Sequence, residues 1–447
     1  MLSAIPLTPQ RDQEDDLRKR IYVGAGASAL IALVALATMV SGATARSGAT
    51  PLPASSCSAI QNASGQYLIA SDLPLQGSGR TQTSQMTRAI KFVLNQHGWK
   101  AGKYTLAYQS CDDSTAQAGK WDSGKASANA NAYAQNSSVV GVIGTFNSGA
   151  AEIEIPILNR AQNGPIAMVS PANTYVGLTH GGPGTVAGEP GKYYPTGKRN
   201  YARVVAADDY QGAADAILAK SVGIKKLFIL NDKEAYGLGV ARNVQNAAKK
   251  LGIKVVGFTA WDGKASSYEA LAVKVKASGA QGVFLGGLIC ENGGKLIKDI
   301  AANAPGVKIM APDGFTPVSA TIQESGTSAE GAYVSVAGLP NTALKGAGKA
   351  FVKAFTKADH RSPDPYSVYA AQAAEVMVAA LKQSNGSRSD VAKQLFKVKL
   401  KNSILGNLSF NANGDVTSNP VTIYKVKGGK STTLKVIVPP NSLVKAA

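Results

Sequence analysis

The stretch from Val139 to Thr174, VVGVIGTFNSGAAEIEIPILNRAQNGPIAMVSPANT, constrains the fold more than any other part of the chain. Its first six residues, Val139 to Gly144, are a short apolar run ending in glycine, which suits a parallel strand buried on both faces. The polar turn Thr145-Phe146-Asn147-Ser148-Gly149 follows, and then an apolar-periodic segment through Leu158. Asn147 or Ser148 makes a good helix N-cap, and Glu152 and Glu154 place acid in the first turns. Pro156 stands inside that helix and is expected to kink it. A second strand over 165–169 ends in Ser170-Pro171-Ala172-Asn173-Thr174. Two parallel strands therefore finish on one side in small hydroxyl and amide residues, and the first runs straight into a helix N-terminus. Free N–H groups and a positive dipole end hold a carboxylate or phosphate, and open α/β sheets bind ligands beyond the carboxyl ends of their strands. The same residue types also serve as plain caps and turns, so the residues alone leave both roles open.

Strand and helix alternate through the rest of the chain. Before Val139, strands are expected over 66–71 and 103–109, with helices near Ser84 to His97 and from Asp112-Asp113 to about Gln135. The glycine- and proline-rich segment 177–200 is too long for a routine connection and reads as a surface loop. A second series follows, with strands at 201–205, 226–230, 254–259, 282–285 and 308–311 and helices between them. Later helices are expected over 365–383 and 389–396, and the segment 404–438 is rich in strand, with Gly414-Asp415 and Gly428-Gly429 as turns. This pattern predicts an α/β fold of two doubly wound parallel-sheet lobes. A chain of 447 residues accommodates them together with a leader.

Residues 21–40, IYVGAGASALIALVALATMV, are apolar, uncharged and long enough to span a bilayer. Arg18, Lys19 and Arg20 before them orient the N-terminus inward and the remainder outward. Residues 1–45 are read as a signal peptide, cleaved at Ala43-Thr44-Ala45, or as a retained membrane anchor; lipidation of Cys57 is a third outcome. Residues 46–65 read as a linker. If the chain is exported, adjacent parallel strands bring Cys57 and Cys111 close enough for a disulfide, leaving Cys290 as a lone thiol.

The net charge of +19 comes from lysines scattered singly, with no basic run interleaved with aromatics, so nucleic acid is not an expected partner. Three cysteines and three histidines without metal-ligand spacing argue against a zinc site, and no cofactor is expected. There is no G-x-S-x-G, no GK[ST] phosphate loop, and Gly77-Ser78-Gly79 lacks the third glycine of a dinucleotide fingerprint. The paired acids Asp112-Asp113 and Asp208-Asp209 are each expected to open a helix, which assigns them to capping rather than acid–base work. What remains is a set of polar strand-end loops in both halves: Ser148, Ala172 to Thr174, Tyr236, the 286–291 turn and Asp313. Such a set complements a zwitterion, with a helix N-terminus for the carboxylate and an acid for the ammonium, in a cleft between lobes.

The segments VVGVIGTFNSGAA, PIAMVSPANT, LNDKEAYGLGVARNVQNAAKKLGIKVV, YEALAVKVKASGAQGVFLGG and GNLSFNANGDV, in this order and spacing, resemble the type I periplasmic binding proteins of the leucine/isoleucine/valine-binding branch. The resemblance covers roughly residues 66–438. It implies two lobes joined by a three-stranded hinge, the first from 66–204 with 338–418 and the second from 205–337 with 419–440. It implies an exported, extracytoplasmic protein that hands an amino acid or amide to an ABC importer permease, with a membrane-tethered sensor as the alternative and catalysis not expected. By the same resemblance Ser148 and its neighbouring N–H groups take the α-carboxylate. Ala172, Asn173 and Thr174 hold carboxylate and ammonium, Tyr236 reaches across from the second lobe, and Asp313 stands for a glutamate that takes the ammonium. Leu288 replaces a tyrosine of those binders, and Gly79-Arg80-Thr81 occupies a loop where an aromatic would wall the pocket. The cysteine usual in the third-strand turn is absent, which leaves room for the Cys57–Cys111 pairing.

Overall fold

The computed structural model describes residues 48–444. The leader or anchor assigned to residues 1–45, and with it the apolar stretch 21–40, lies outside the described residues. Among the described residues no helix is long and apolar enough to cross a membrane.

Two sheets organise the molecule. The first runs in the order Lys100–Ala101, Tyr104–Asp112, Tyr67–Leu73, Val139–Gly144, Ala167–Ser170 and Tyr201–Arg203, parallel throughout except for its two-residue edge strand. The second runs Lys254–Ala260, Lys226–Asn231, Gly282–Gly286, Lys308–Ala311 and Tyr333–Val336 in parallel. Val421–Lys427 and Lys430–Ile437 then close it antiparallel. Both lobes are thus α/β with helices on the sheets, and both sheets are mixed rather than purely parallel.

The chain passes between the lobes at 204–207, 337–340 and 417–420, because the helices Gly346–Asp359, Pro365–Lys382 and Arg388–Leu395 return to the first sheet's core. Small residues permit the close packing. A Cβ at Gly141, inside the central strand, would stand 2.3 Å from the Met377 sulfur, so only glycine lets the helix Pro365–Lys382 lie so near the sheet. That helix meets the core with Ala370, Ala371, Ala373 and Ala374, all fully buried.

Three expectations are corrected. No helix starts at Asp112. Ser114–Thr115 and Lys120–Trp121 form a small hairpin, and the helix begins at Ser123, where the Asp122 side chain accepts from Lys125 N. The segment read as a linker is not free over residues 48–65. Ala49, Leu52 and Cys57 are buried, and Ser58 N and Gln61 N donate to the carbonyls of Ser110 and Tyr108 at 2.8 Å. That coil covers the otherwise unpaired edge of the strand Tyr104–Asp112, a standard protection for sheet edges. It also carries Cys57 to Cys111, with which it forms a disulfide. The 177–200 segment is not a loose surface loop either. Tyr193 and Tyr194 are buried in the first lobe, and the Tyr194 hydroxyl donates to the Leu178 carbonyl at 2.6 Å.

Candidate functional site

The two strand-end loops of the first lobe are tied into one surface. Ser170 Oγ donates to the Thr145 carbonyl at 3.0 Å and accepts from Ala172 N and Asn173 N at 3.1 and 2.7 Å. Asn173 Nδ2 donates to the Phe146 carbonyl at 3.0 Å, and the Tyr201 hydroxyl donates to its Oδ1 at 3.2 Å. These bonds present the first turn of the helix Ser148–Asn159 beside Ala172 and Thr174. The first N–H groups of a helix have no partner within it, so this end offers donors to an anion. Gly149 is required here: a Cβ would stand 2.5 Å from the Trp121 ring, which lies over the helix start.

The second lobe supplies the facing wall. Asp313 lies in the turn after Lys308–Ala311, and its carboxylate accepts from the hydroxyls of Tyr236 and Tyr366, each at 2.5 Å. Tyr236 Oη also accepts from Gly314 N at 2.9 Å. Burial raises the Asp313 carboxyl above the usual range, while the bonds from Tyr236 and Tyr366 favour its charged form. Leu288 is held by its own N–H, which donates to Asp232 Oδ2 at 2.9 Å, and contributes an apolar wall.

Between these walls lies a space of about 360 Å³, partly open to solvent, lined by Trp121, Phe146, Ser148, Ala172, Thr174, Tyr236, Leu288 and Asp313 with their neighbours. One lining group is unsatisfied: the Trp121 indole N–H is buried without a hydrogen-bond partner. Asp208 opens the helix Asp208–Ser221, its N–H donating to the Thr174 carbonyl at 2.8 Å, and its buried carboxylate is faced by the Thr174 hydroxyl. Burial, reinforced by the nearby Asp313 charge, pushes the Asp208 carboxyl well above the usual range. Buried polar atoms are nearly always paired, so the free Trp121 N–H marks where a polar ligand would bond.

The lobes touch through polar contacts. Lys120 Nζ, on the hairpin of the first lobe, pairs with Glu234 at 3.0 Å and also with Glu291, both on the second lobe. Gln82 Nε2 donates to Thr316 Oγ1 at 3.2 Å, and the Tyr366–Asp313 bond crosses the same gap. The lobes stand closed on one another.

Of the candidate residues, Ser148, Ala172, Thr174, Tyr236, Leu288 and Asp313 come together at this cavity. Asn173 does not line it; its amide braces the two loops instead. Thr81 is exposed at the start of the helix Arg80–Gln96, and its carbonyl accepts from Arg361. Sequence reasoning missed Trp121, Phe146 and Glu234 as cavity groups, and Asp208 as the acid behind Thr174 and Asp313. The Asp-Asp pair at 208–209 was visible but read as a cap, and the hairpin that brings Trp121 over the cleft was read as helix.

Comparison with known proteins bears on the fold. The family model described as periplasmic binding protein matches residues 69–431. The chain is similar to an amino acid binding protein of Pseudomonas aeruginosa, 26% identical over 248 residues, which are 54% of this chain and 65% of that one. It is similar to Leu/Ile/Val-binding protein homolog 3 of Brucella melitensis, 28% identical over 301 residues, 66% of this chain and 74% of that one. The alignment thus spans about two thirds to three quarters of these relatives. The structure superposes on a leucine-binding protein of Thermotoga maritima with a TM-score of 0.72 at 20% identity, over 83% of this chain and 99% of that one.

Proposed function

The chain belongs to the periplasmic binding protein family, among its Leu/Ile/Val-binding members, and from that premise we propose that it is an extracytoplasmic receptor for an apolar amino acid, which it delivers to an ABC importer. The observation that carries the reading is the unlike chemistry of the two walls of one small cavity. A helix N-terminus at Ser148, with the Thr174 hydroxyl beside it, suits a carboxylate. Asp313, with Asp208 behind it, suits an ammonium. Trp121, Phe146 and Leu288 leave an apolar flank for the side chain. No nucleophile and general base stand together there, and the family is one of binding proteins rather than catalysts. Residues 21–40 serve to direct export, as a cleaved signal or as an anchor holding the domain at the outer face of the membrane; the mass of the exported protein distinguishes the two.

The test is isothermal titration of the purified protein with leucine, isoleucine and valine, beside leucinol, which lacks the carboxylate, and 4-methylpentanoate, which lacks the amine. The amino acids should bind and both truncated analogues should bind at least tenfold more weakly, since each leaves one buried partner unpaired. Asp313→Asn should weaken leucine more than it weakens 4-methylpentanoate. Equal binding of leucine and both analogues, or binding of sugars alone, would overturn the zwitterion assignment.

A further inference from the structure

Beneath the strand ends of the first lobe, three carboxylates from three separate elements converge. Asp72 lies near the end of the strand Tyr67–Leu73, Asp113 directly follows Tyr104–Asp112, and Glu154 lies in the middle of the helix Ser148–Asn159. All three are fully buried, and one carboxylate oxygen from each lies within 4.8 Å of the others. Asn129 Nδ2 donates to Asp72 Oδ1 at 3.0 Å. The other oxygens of the group, Asp72 Oδ2 and both oxygens of Asp113 and of Glu154, have no hydrogen-bond partner. An independent group points the same way. The Tyr133 hydroxyl, on the helix Ser123–Gln135, is fully buried, lies against the carboxylates of Asp72 and Glu154, and forms no well-directed hydrogen bond.

Three carboxyls and a phenol thus converge in the interior, with Asp72 against both Glu154 and Tyr133 and no cationic or amide partner beyond Asn129. The strongest charged influences on these carboxyls are one another and Asp112, all acids, and no lysine or arginine is among them. Burial drives all three carboxyls upward. Buried charges are tolerated when they are paired or coordinate a metal. We propose that Asp72, Asp113 and Glu154, with the Tyr133 hydroxyl, form a structural site for one dehydrated calcium ion. Calcium takes six to eight oxygen ligands at 2.3–2.6 Å in flexible geometry, so ligands on opposite sides of it stand up to about 5 Å apart. Magnesium dehydrates reluctantly and keeps several waters, which an enclosed all-protein cage does not suit, and zinc favours nitrogen and sulfur. The ligands are far apart in sequence, so no spacing motif could have announced the site.

The position gives the ion a role. Glu154 shares its helix with Ser148 and Gly149 of the cavity, and Asp72 pairs in register with Gly144, just before the Thr145–Ser148 turn. A bound ion would fasten the helix Ser148–Asn159 to the helix Ser123–Gln135 and to two strands, fixing the wall on which the ligand carboxylate is proposed to rest. The argument for the ion stands on the buried carboxylates and does not depend on the ligand assignment.

The experiment uses the exported protein, unfolded in guanidinium with EGTA and refolded in calcium, in magnesium or in EGTA. After desalting, metal content is measured by inductively coupled plasma mass spectrometry and melting is followed by circular dichroism. The expected result is one calcium per chain and a melting temperature several degrees above that of the EGTA-refolded protein, because an ion bound only by the folded state stabilises it. Glu154→Gln should lose the retained calcium and the response to EGTA. Retained magnesium in place of calcium would overturn the choice of ion. No retained ion and identical melting in calcium and EGTA would overturn the site and assign the carboxyls to shared protons. Calcium still retained by Glu154→Gln would place the ion elsewhere; should that variant fail to fold, the wild-type arms decide alone.

Discussion

His180 should make the stability of this protein depend on pH in the alkaline range. It lies in the segment after Thr174, and its ring joins two acids beside the hinge, Nε2 to Asp209 Oδ2 at 3.1 Å and Nδ1 to Asp415 Oδ2 at 3.0 Å. Asp209 sits just beyond the first crossing between lobes and Asp415 just before the third. Asp415 also accepts from Arg203 Nε and from the Thr179 hydroxyl, each at 2.8 Å. Burial opposes the imidazolium charge, but the bonds to Asp209 and Asp415 outweigh it and raise His180 to about 9. An unfolded histidine titrates near 6.5, so the folded state holds the proton more tightly. The stabilisation is therefore complete below pH 6.5 and is lost as pH rises through about 9. At about 1.4 kcal/mol per pH unit the separation is worth about 3 kcal/mol, as an upper figure for a ring that keeps some solvent contact. The perturbation is His180→Gln, and the assay is urea unfolding of both proteins at several values between pH 6 and 10.5. The wild type should exceed the variant by about 2–3 kcal/mol more at pH 6 than at pH 10.5, with most of the change between pH 7 and 9.5. A difference that stays constant across that range would refute the reasoning, because it would mean that the ring packs without holding an extra proton.

Lys120→Met removes the ion pairs across the cleft while keeping the side-chain length. These pairs are partly exposed, so ligand affinity should fall only about three- to tenfold, with a smaller difference in high salt; titration at two salt concentrations checks it, and unchanged affinity would deny Lys120 a part in closure. The Cys57–Cys111 bridge closes a loop of sequence separation 54. Thiol titration of the unfolded, unreduced protein should find one thiol, and replacing both cysteines by alanine should cost up to about 4 kcal/mol in denaturant unfolding.

The lobes were legible because period and punctuation agree along most of the chain. VVGVIG, KLFILN and GVFLG are short apolar runs between helical segments, and no competing pattern fits them. The hairpin 114–121 was not legible, because QAGKWDSGKASANANAYAQ holds no clear apolar period at its start, and the Asp pair at 112–113 imitates a cap. Asp112 instead accepts from Leu75 N at 2.8 Å and Ser114 N at 2.9 Å, organising a turn from both sides. The coil 48–65 looked like a linker because serine, alanine and proline carry no strand pattern. Its place is set by a sheet edge and a disulfide that exist only in the folded chain. At the cavity, Ser148, Thr174 and Asp313 were legible as residues at strand ends. Trp121 and Asp208 were not, since one reaches the cleft through the hairpin and the other is recognisable as more than a cap only once the fold sets it against Thr174 and near Asp313.

The closed arrangement carries its own requirement for a ligand. Contacts between the lobes include a partly exposed lysine between two glutamates, a neutral glutamine–threonine bond, the Tyr366–Asp313 bond, the bond from Asn243 Nδ2 to the Pro183 carbonyl and the His180–Asp209 pair. Exposed ion pairs contribute roughly 0–1 kcal/mol and a net hydrogen bond about 1. Against this, closure leaves the Trp121 N–H buried without a partner, a group that costs about 1–3 kcal/mol, and holds the Asp208 and Asp313 carboxyls in the interior, where burial drives both upward. A ligand that bonds to those groups removes the cost only in the closed state, and a differential affinity of that kind is what shifts a population from open to closed. The groups that line the cavity therefore tie closure to its being filled.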